Sequence, residues 1–264
     1  MPDAIITLTT DFGEDSPYVA AMKGVILGIN SCARLLDLSH QIPPQDVRYA
    51  AFFLHSAIPY FPPEALHVVV VDPGVGTERA LLYVEVNSHR LLAPDNGCWS
   101  MLARSTSPRV VRLADQHYWR PNVSATFHGR DILAPVAGHL SRGLDPSLLG
   151  PRVTDWKEID LPEPVREQNG LRGEVLFVDH FGNLITNIPG ETLTAKGHPV
   201  RVKVDEVDVS RWVRSYAEAE AGAVIALVSS AGLLEIAINQ ENAARELGAG
   251  VGTSVHILFP SAQE

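Results

Sequence analysis

A repeated pattern in the first half of the chain constrains its fold most strongly. Short apolar runs alternate there with segments of helical spacing. The runs are Ile5 to Leu8, Leu35 to Leu38, Leu66 to Val71 and Leu81 to Val86. A helix is predicted to start at Ser16-Pro17, with Ser16 as its N-cap, and to end near Ile29. A second helix is predicted over Asp46 to Tyr60. This rhythm predicts a mostly parallel sheet with helices on its faces.

The second region of the chain has a different pattern. A stretch rich in proline, glycine and charge, around residues 150–170, separates it from the first. Five short alternating runs and one helical segment follow: Glu174 to Val178, Val200 to Val204, Ala223 to Val228, Leu233 to Ile238, Ser254 to Phe259, and Glu241 to Leu247. They predict a small, mainly antiparallel β-sandwich or barrel. We therefore expect an α/β domain over 1–155, a linker over 156–170 and a β domain over 171–264.

Charge and cysteine content narrow the class of protein. The chain of 264 residues has 21 Lys plus Arg against 31 Asp plus Glu, a formal charge of −10. That balance argues against a general nucleic-acid binder. Cys32 and Cys98 are outside any CxxC pair and are too few for a disulfide framework or zinc cluster. With no signal peptide and no membrane-length apolar run, we expect a cytoplasmic protein without a membrane partner.

Carboxylates follow two of the predicted strands. Ligands of parallel sheets bind beyond the carboxyl ends of the strands, where Asp11 and Asp72 fall. Asp11 suits a ribose diol, although turn capping explains Asp11 and Asp15 more simply. Asp72 follows five apolar residues, so it needs a partner to keep its pKa from rising. Arg79 is the candidate partner, and a structural salt bridge would explain the pair equally well.

Two further clusters carry chemically useful side chains. His128 lies in a glycine-containing loop before a predicted helix, a position suited to acid–base work, although a lone histidine is more often structural. Asp179, Phe181 and Asn183 together suit an amine, a flat base and its polar edge, and a hairpin turn is the alternative. A metal held by His128, Asp131 and Asp72 lacks support from HxH, HExxH or CxxC spacing, so we expect no metal.

Seven ordered stretches together resemble one family. They are Thr9 to Gly13, Met22 to Gly24, Val71 to Gly76, Ala93 to Gly97, Thr126 to Asp131, Asp179 to Asn187 and Leu234 to Ala237. The chain resembles the adenosine-forming S-adenosyl-L-methionine hydrolases, relatives of fluorinases and chlorinases. The resemblance implies an N-terminal α/β domain, a C-terminal β-barrel and a homotrimer with active sites between subunits. It also implies water attack on S-adenosyl-L-methionine, which is the substrate, so no cofactor is expected.

The resemblance implies roles for individual residues. Asp72, Arg79 and His128 match the water-activating set, Asp11 matches the ribose-binding aspartate, and Asp179 matches the group at the methionine ammonium. Phe181 and Asn183 match the adenine contacts, Thr126 and Phe127 the ribose side, and Ser230 the methionine end. Two positions depart from the family. Ser16 stands where an aspartate usually meets the ammonium, so either Asp15 substitutes or Asp179 acts alone. Ala231 replaces the arginine of the halogenases, so serines and backbone N–H groups would hold the carboxylate.

Two other functions are alternatives to hydrolysis. A halogenase would need a halide where the Asp72 carboxylate falls, and Val75 replaces the halide-binding hydroxyl of the fluorinases, so repulsion between desolvated like charges disfavours it. A non-catalytic sensor of S-adenosyl-methionine or nucleosides would have no need for the three water-activating residues. The sequence therefore favours a hydrolase.

Overall fold

The structure, a computed structural model, describes residues 4–104, 106–194, 201–209 and 211–259. The chain divides into two compact units, Met1–Asp160 and Leu161–Glu264. Lys157 N donates to Asp95 Oδ1 (2.8 Å) within the first unit, whereas Val165–Glu167 is a strand of the second. The segment predicted as a linker, 156–170, is thus shared between the units. The predicted domain bounds themselves stay a prediction.

The described part of the first unit contains a seven-stranded sheet with the order β2-β1-β3-β5-β4-β6-β7. Its strands are β1 Ile5–Thr10, β2 Arg34–Ser39, β3 Leu66–Val70, β4 Leu81–Val86, β5 His89–Pro94, β6 Arg109–Arg112 and β7 Arg152–Val153. The neighbours β2, β1, β3 and β5 are parallel, and β4, β6 and β7 pair antiparallel. The α/β class is confirmed, but the parallel part is half of the sheet. Asn87 and Ser88, at φ 48° and 66°, form a two-residue turn that returns β5 beside β4 without a crossover helix.

Helices cover both faces of this sheet. They are α1 Tyr18–Ile29, α2 Val47–Ala57, α3 Ser100–Ala103 and α4 Ala134–Ser141. The start predicted for α1 was wrong, because Pro17 is the N-cap and the Ser16 hydroxyl donates to the Phe12 carbonyl (3.1 Å) instead of capping. Asp46 does cap α2, accepting from Tyr49 N at 2.8 Å.

Alternation along the central strand divides the core of the first unit into two layers. Val68 and Val70 pack with α1 and α4, whereas Val69 packs with α2 on the opposite face. All three side chains are at most 5% exposed. A strand buried on both faces reads as a continuous apolar run, which is why Leu66 to Val71 showed no alternation.

The described part of the second unit contains a nearly barrel-shaped sheet of nine strands. The strands are β8 Val165–Glu167, β9 Gly170–Val178, β10 Leu184–Pro189, β11 Arg201–Val204, β12 Val207–Val209, β13 Arg211–Trp212, β14 Val224–Val228, β15 Leu233–Ile238 and β16 Ser254–Leu258. Helices α5 Gly190–Thr194 and α6 Ala243–Leu247 complete the unit. Every pair except β13–β14 is antiparallel. Predicted strand residue Val200 lies outside the described residues.

Helix α6 begins two residues later than predicted, because Asn242 is its N-cap and accepts from Arg245 N at 2.8 Å. Across the ranges that the structure describes, none of the helices has the length and hydropathy needed to cross a membrane.

The turn at Gly182 offers a test of this packing. Gly182 and Gly232 both have positive φ, +88° and +75°, but a Cβ at Gly182 would lie 2.2 Å from the Asn242 side chain, whereas one at Gly232 meets nothing within 4 Å. Both alanine variants are strained, and only Gly182→Ala also displaces the cap of α6. We expect Gly182→Ala to lower the free energy of unfolding by about 1 kcal/mol more than Gly232→Ala, measured by urea denaturation. Equal losses would contradict the contact.

Candidate active site

A buried ion pair follows the end of β3. Arg79 Nε donates to both carboxylate oxygens of Asp72 at 2.9 Å, and Arg79 Nη2 donates to Oδ2. The two side chains are only 7% and 6% exposed. Gly74 N adds a donor to Oδ1 at 3.2 Å. A carboxylate has about four acceptor positions, and these four contacts come from only three N–H groups, because the Nε–H is shared between the two oxygens.

His128 extends this pair to a third side chain. Its Nδ1 lies 2.9 Å from Arg79 Nη2. A guanidinium can only donate, so Nδ1 accepts and the proton of the neutral ring sits on Nε2. Burial, and then the charge of Arg79, lower the pKa of His128 below its usual value, which favours the neutral form. His128 is therefore an N–H donor through Nε2, held in that tautomer by Arg79.

A fully buried carboxylate fixes the loop that carries His128. Asp131 accepts from Arg130 Nε (2.7 Å), Arg120 Nη1 (2.9 Å) and the Ser124 backbone N–H (2.9 Å). Burial pushes the pKa of Asp131 up, but the hydrogen bonds from Arg130, Ser124 and Arg120 outweigh it and hold the pKa at about 2. The loop leads into a π-helical turn, Gly129–Leu133, rather than directly into the predicted helix. Such turns are often found at functional sites.

The predicted ribose aspartate lies at the end of the neighbouring strand β1. Asp11 Oδ2 accepts from the Gln45 backbone N–H at 2.8 Å, which leaves Oδ1 without a hydrogen-bond donor in the described residues. Asp15 is exposed and Ser16 is half-buried. Because the Ser16 hydroxyl is bonded to the Phe12 carbonyl, Ser16 acts locally as a turn residue.

Three aromatic rings meet beside Asp11. Phe127 contacts Phe12 and Tyr18 edge to face, with centroids 5.7 and 5.2 Å apart, and Phe12 contacts Tyr18 at 5.4 Å. Phe127 is 9% exposed and belongs to the core, whereas Thr126 is exposed. Most of the Phe127 ring is thus committed to packing, and Thr126 is the more accessible of the two predicted ribose neighbours.

The second unit contains a cavity of about 820 Å³. The predicted residues Asp179, Phe181, Asn183 and Ser230 all line it, together with Tyr216, Leu227, Ser229, Glu235, Ile238, Asn239, Gln240, Glu241, Asn242 and Arg245. Phe181 is 74% exposed, as a ring available for stacking would be. The cavity therefore unites the four predicted residues of this unit.

Asp179 organises the turn on which this cavity is built. Its Oδ1 accepts from Phe181 N (2.9 Å) and Asn183 N (2.8 Å), and its Oδ2 accepts from Asn183 Nδ2 (2.9 Å). The hairpin-turn interpretation is therefore confirmed, and binding by the same residues stays a prediction. One acceptor position of the Asp179 carboxylate remains open.

The polar residues of this cavity that sequence reasoning missed include Tyr216, Ser229 and Glu235. Glu235 is 4% exposed and accepts from Tyr216 Oη at 2.5 Å, and the buried Ser229 Oγ has no hydrogen-bond partner. A glutamate inside the apolar run of β15 was an available signal for Glu235. Tyr216 lies in an irregular segment without any pattern.

Among the described residues, no group of three or more His, Cys, Asp or Glu side chains is placed to hold a metal ion.

An α/β unit with an Asp–Arg–His network at its strand ends, followed by an antiparallel β unit with a polar cavity, defines a two-domain class of protein. The family model described as the SAM hydroxide adenosyltransferase N-terminal domain matches residues 6–150, and the C-terminal domain of the same name matches 173–256. The chain belongs to the SAM hydroxide adenosyltransferase family.

Individual relatives agree with this assignment. An (R)-S-adenosyl-L-methionine hydrolase of Thermus thermophilus is 38% identical over 94% of this chain and 97% of its own length. The crystal structure of a conserved protein from Thermotoga maritima superposes with a TM-score of 0.89 at 35% identity, covering 96% of this chain and 99% of that one. A fluorinase of Actinopolyspora mzabensis is more distant, at 24% identity over 96% of each chain.

The Asp131 network predicts an acid-sensitive stability difference. We expect Asp131→Asn to lower the free energy of unfolding by about 1–3 kcal/mol at pH 7, because two arginines and a backbone N–H lose a charged acceptor. The pKa of Asp131 in the folded protein, about 2, lies below the ordinary aspartate value of 3.8. The advantage of the wild type is therefore complete above pH 3.8 and is lost as the pH falls towards 2. Denaturation at several pH values checks this, with the exposed Asp155→Asn as control, and a pH-independent difference would contradict it.

Proposed function

We propose that this protein hydrolyses S-adenosyl-L-methionine to adenosine and methionine. The hydrogen-bonded Asp72–Arg79–His128 network carries the proposal, because it offers one acceptor and one donor to a water molecule. The name of the Thermus relative, which aligns over nearly the whole chain, supports the same reaction.

The reaction is a displacement at the ribose C5′. The water oxygen forms a bond to C5′ as the C5′–S bond breaks, and the electron pair of that bond leaves with sulfur. The sulfonium thereby becomes the neutral thioether of methionine. Such a leaving group needs no Lewis acid, so the demand on the protein is to hold the water in line and remove its proton.

Asp72 and His128 divide this task. The Asp72 carboxylate takes the water proton, and the His128 Nε2–H donates to a water lone pair and aims the other at C5′. Arg79 touches both side chains, so it fixes their separation. His128 does not act as the base, because its Nδ1 is occupied and its Nε2 carries a proton.

Substrate contacts are proposed for the remaining residues. Asp11 Oδ1 faces the ribose hydroxyls, with Thr126 and Phe127 on the ribose side. Phe181 stacks on adenine, Asn183 meets its polar edge, and Ser230 lies at the methionine end. Ser16 is bonded to the backbone and Asp15 is solvated, so we assign the ammonium to the second unit.

Halogenation is disfavoured by the same geometry. A halide seated against Asp72 would meet a carboxylate in a desolvated setting, and the neighbouring Val75 offers no side-chain donor. A fluorinase is also the more distant relative, at 24% identity against 38% for the hydrolase. We further propose that the protein is cytoplasmic, since both of its cysteines, Cys32 and Cys98, are free.

Product analysis tests the reaction and the base together. Wild-type protein incubated with S-adenosyl-L-methionine in chloride buffer should yield adenosine and methionine by chromatography. Asp72→Asn should lower kcat by about 10²–10⁴-fold with little change in KM, because the isosteric amide cannot accept the proton. The exposed Asp155→Asn should keep wild-type rates. 5′-Chloroadenosine as the product, intact substrate retained for hours, or full activity of Asp72→Asn would overturn the proposal.

Subunit mixing tests the proposed homotrimer with shared active sites. Asp72→Asn and Phe181→Ala affect different units of the chain, and each alone should be weakly active. If one subunit supplies Asp72 and its neighbour supplies Phe181, co-expressed variants form some intact sites, and activity rises several-fold above either variant. Sedimentation should show three subunits. No gain on mixing within verified mixed trimers would contradict shared sites.

A further inference from the structure

Glu235 is the least compensated charge in the cavity of the second unit. It lies in the middle of β15, opposite Leu227 of β14 and Ile185 of β10, and is 4% exposed. Its carboxylate accepts a hydrogen bond from Tyr216 and forms no ion pair with any residue in the described ranges. A buried carboxylate of this kind is costly unless a cation or several donors meet it.

The charges around Glu235 do not supply that cation. The cavity is lined by three carboxylates, those of Asp179, Glu235 and Glu241, against the single guanidinium of Arg245. Arg245 is bonded to Glu246 at 2.9 Å and its side chain is 74% exposed, so it does not neutralise Glu235. The cavity therefore favours a cationic occupant.

Hydrogen-bonding capacity points to Glu235 rather than Asp179 as the main receptor. Three donors from Phe181 and Asn183 occupy Asp179, whereas Tyr216 alone occupies Glu235. Three of the four acceptor positions of Glu235 are open, against one for Asp179. Burial raises the pKa of Glu235, Tyr216 lowers it by its hydrogen bond, and the nearby negative charge of Asp179 raises it further. Two carboxylates that repel each other in this way are stabilised by a cation between them.

Ser229 gives a second, independent sign of a polar ligand. Its buried Oγ has no hydrogen-bond partner, although it lines the same cavity. Buried hydroxyls are normally satisfied, so a ligand group on this wall is the simplest partner.

We propose that Glu235 is a binding residue for the ammonium group of the amino-acid part of the substrate, with Asp179 as its secondary partner. The proposal rests on the proposed function for the identity of the ligand. Tyr216 is a positioning residue that orients the Glu235 carboxyl towards the cavity.

A thermodynamic cycle that changes Glu235 and the substrate ammonium, separately and together, tests this contact. S-adenosyl-L-methionine is compared with an analogue in which hydrogen replaces the α-ammonium, on wild type and on Glu235→Gln. In wild type, loss of the ammonium should lower kcat/KM by about 10-fold or more, as for hydrogen bonds to charged groups. In Glu235→Gln, KM for the substrate should rise by about 10-fold with kcat little changed, and the analogue should bind nearly as well as the substrate.

Glu206→Gln is the matched control, since it removes a carboxylate that is 98% exposed and does not line the cavity. It should keep the wild-type preference for the ammonium. Two results would overturn the contact. One is an equal penalty for the analogue in wild type and in Glu235→Gln. The other is a wild type that uses the substrate and the analogue equally well, and that result needs no variant. Glu235→Gln should also melt no lower than wild type, because glutamine can still accept from Tyr216 without burying a charge.

Calorimetry separates this proposal from the proposed reaction. It gives four Kd values, for wild type and Glu235→Gln, each with the substrate and with the analogue. If the protein binds S-adenosyl-L-methionine without cleaving it, these four values still decide whether Glu235 meets the ammonium, and only the hydrolysis proposal fails. If hydrolysis proceeds but the four values show no coupling, the contact fails and the reaction stands. Absence of any binding overturns both.

Discussion

The buried pair of Asp72 and Arg79 is the interaction on which the rest of the first unit's site depends. A carboxylate next to five buried strand residues is costly unless a cation meets it. Arg79 meets it through two nitrogens and uses one of them to hold His128 as well. One guanidinium thus compensates the charge of one side chain and sets the tautomer of another.

Because Arg79 contacts both Asp72 and His128, these two side chains have separate roles. If the partner of His128 Nδ1 were a hydroxyl, which can donate or accept, either ring nitrogen could carry the proton and the histidine could serve as base. Because its partner is an arginine, Nδ1 must accept and the histidine must donate through Nε2. The acceptor for a water proton is then the carboxylate. An arginine-to-lysine change at Arg79 would not be conservative, since a point charge cannot reach both partners with this geometry.

Much of this was accessible from the sequence, for physical reasons that differ between residues. Asp72 and Arg79 stood out because an apolar run that ends in a charge requires a counter-charge nearby. The alternation of strand and helix patterns predicts the α/β unit. The turn at Asn87 and Ser88, however, places β5 beside β4 in a mixed sheet, and local periodicity does not encode that placement. Ser16-Pro17 has the composition of a helix start, and the Phe12 carbonyl competed successfully for the serine hydroxyl. In each case a neighbour outside the local pattern decided the outcome.

Glu235 is a further residue whose surroundings are not encoded in its local sequence pattern. A glutamate between Leu234 and Ile236 fits the alternation of a strand with one exposed face, so the conflict lies between its charge and its burial, and such conflicts in natural proteins tend to lie at functional sites. The sequence alone could not separate an exposed strand face from a buried one, since both accept alternating residues. Burial decides the matter, because a carboxylate that is 4% exposed and lacks a cation in the described residues reduces stability. A binding role for this residue explains why that cost is retained, whereas a purely structural role would be better filled by an apolar side chain of similar volume.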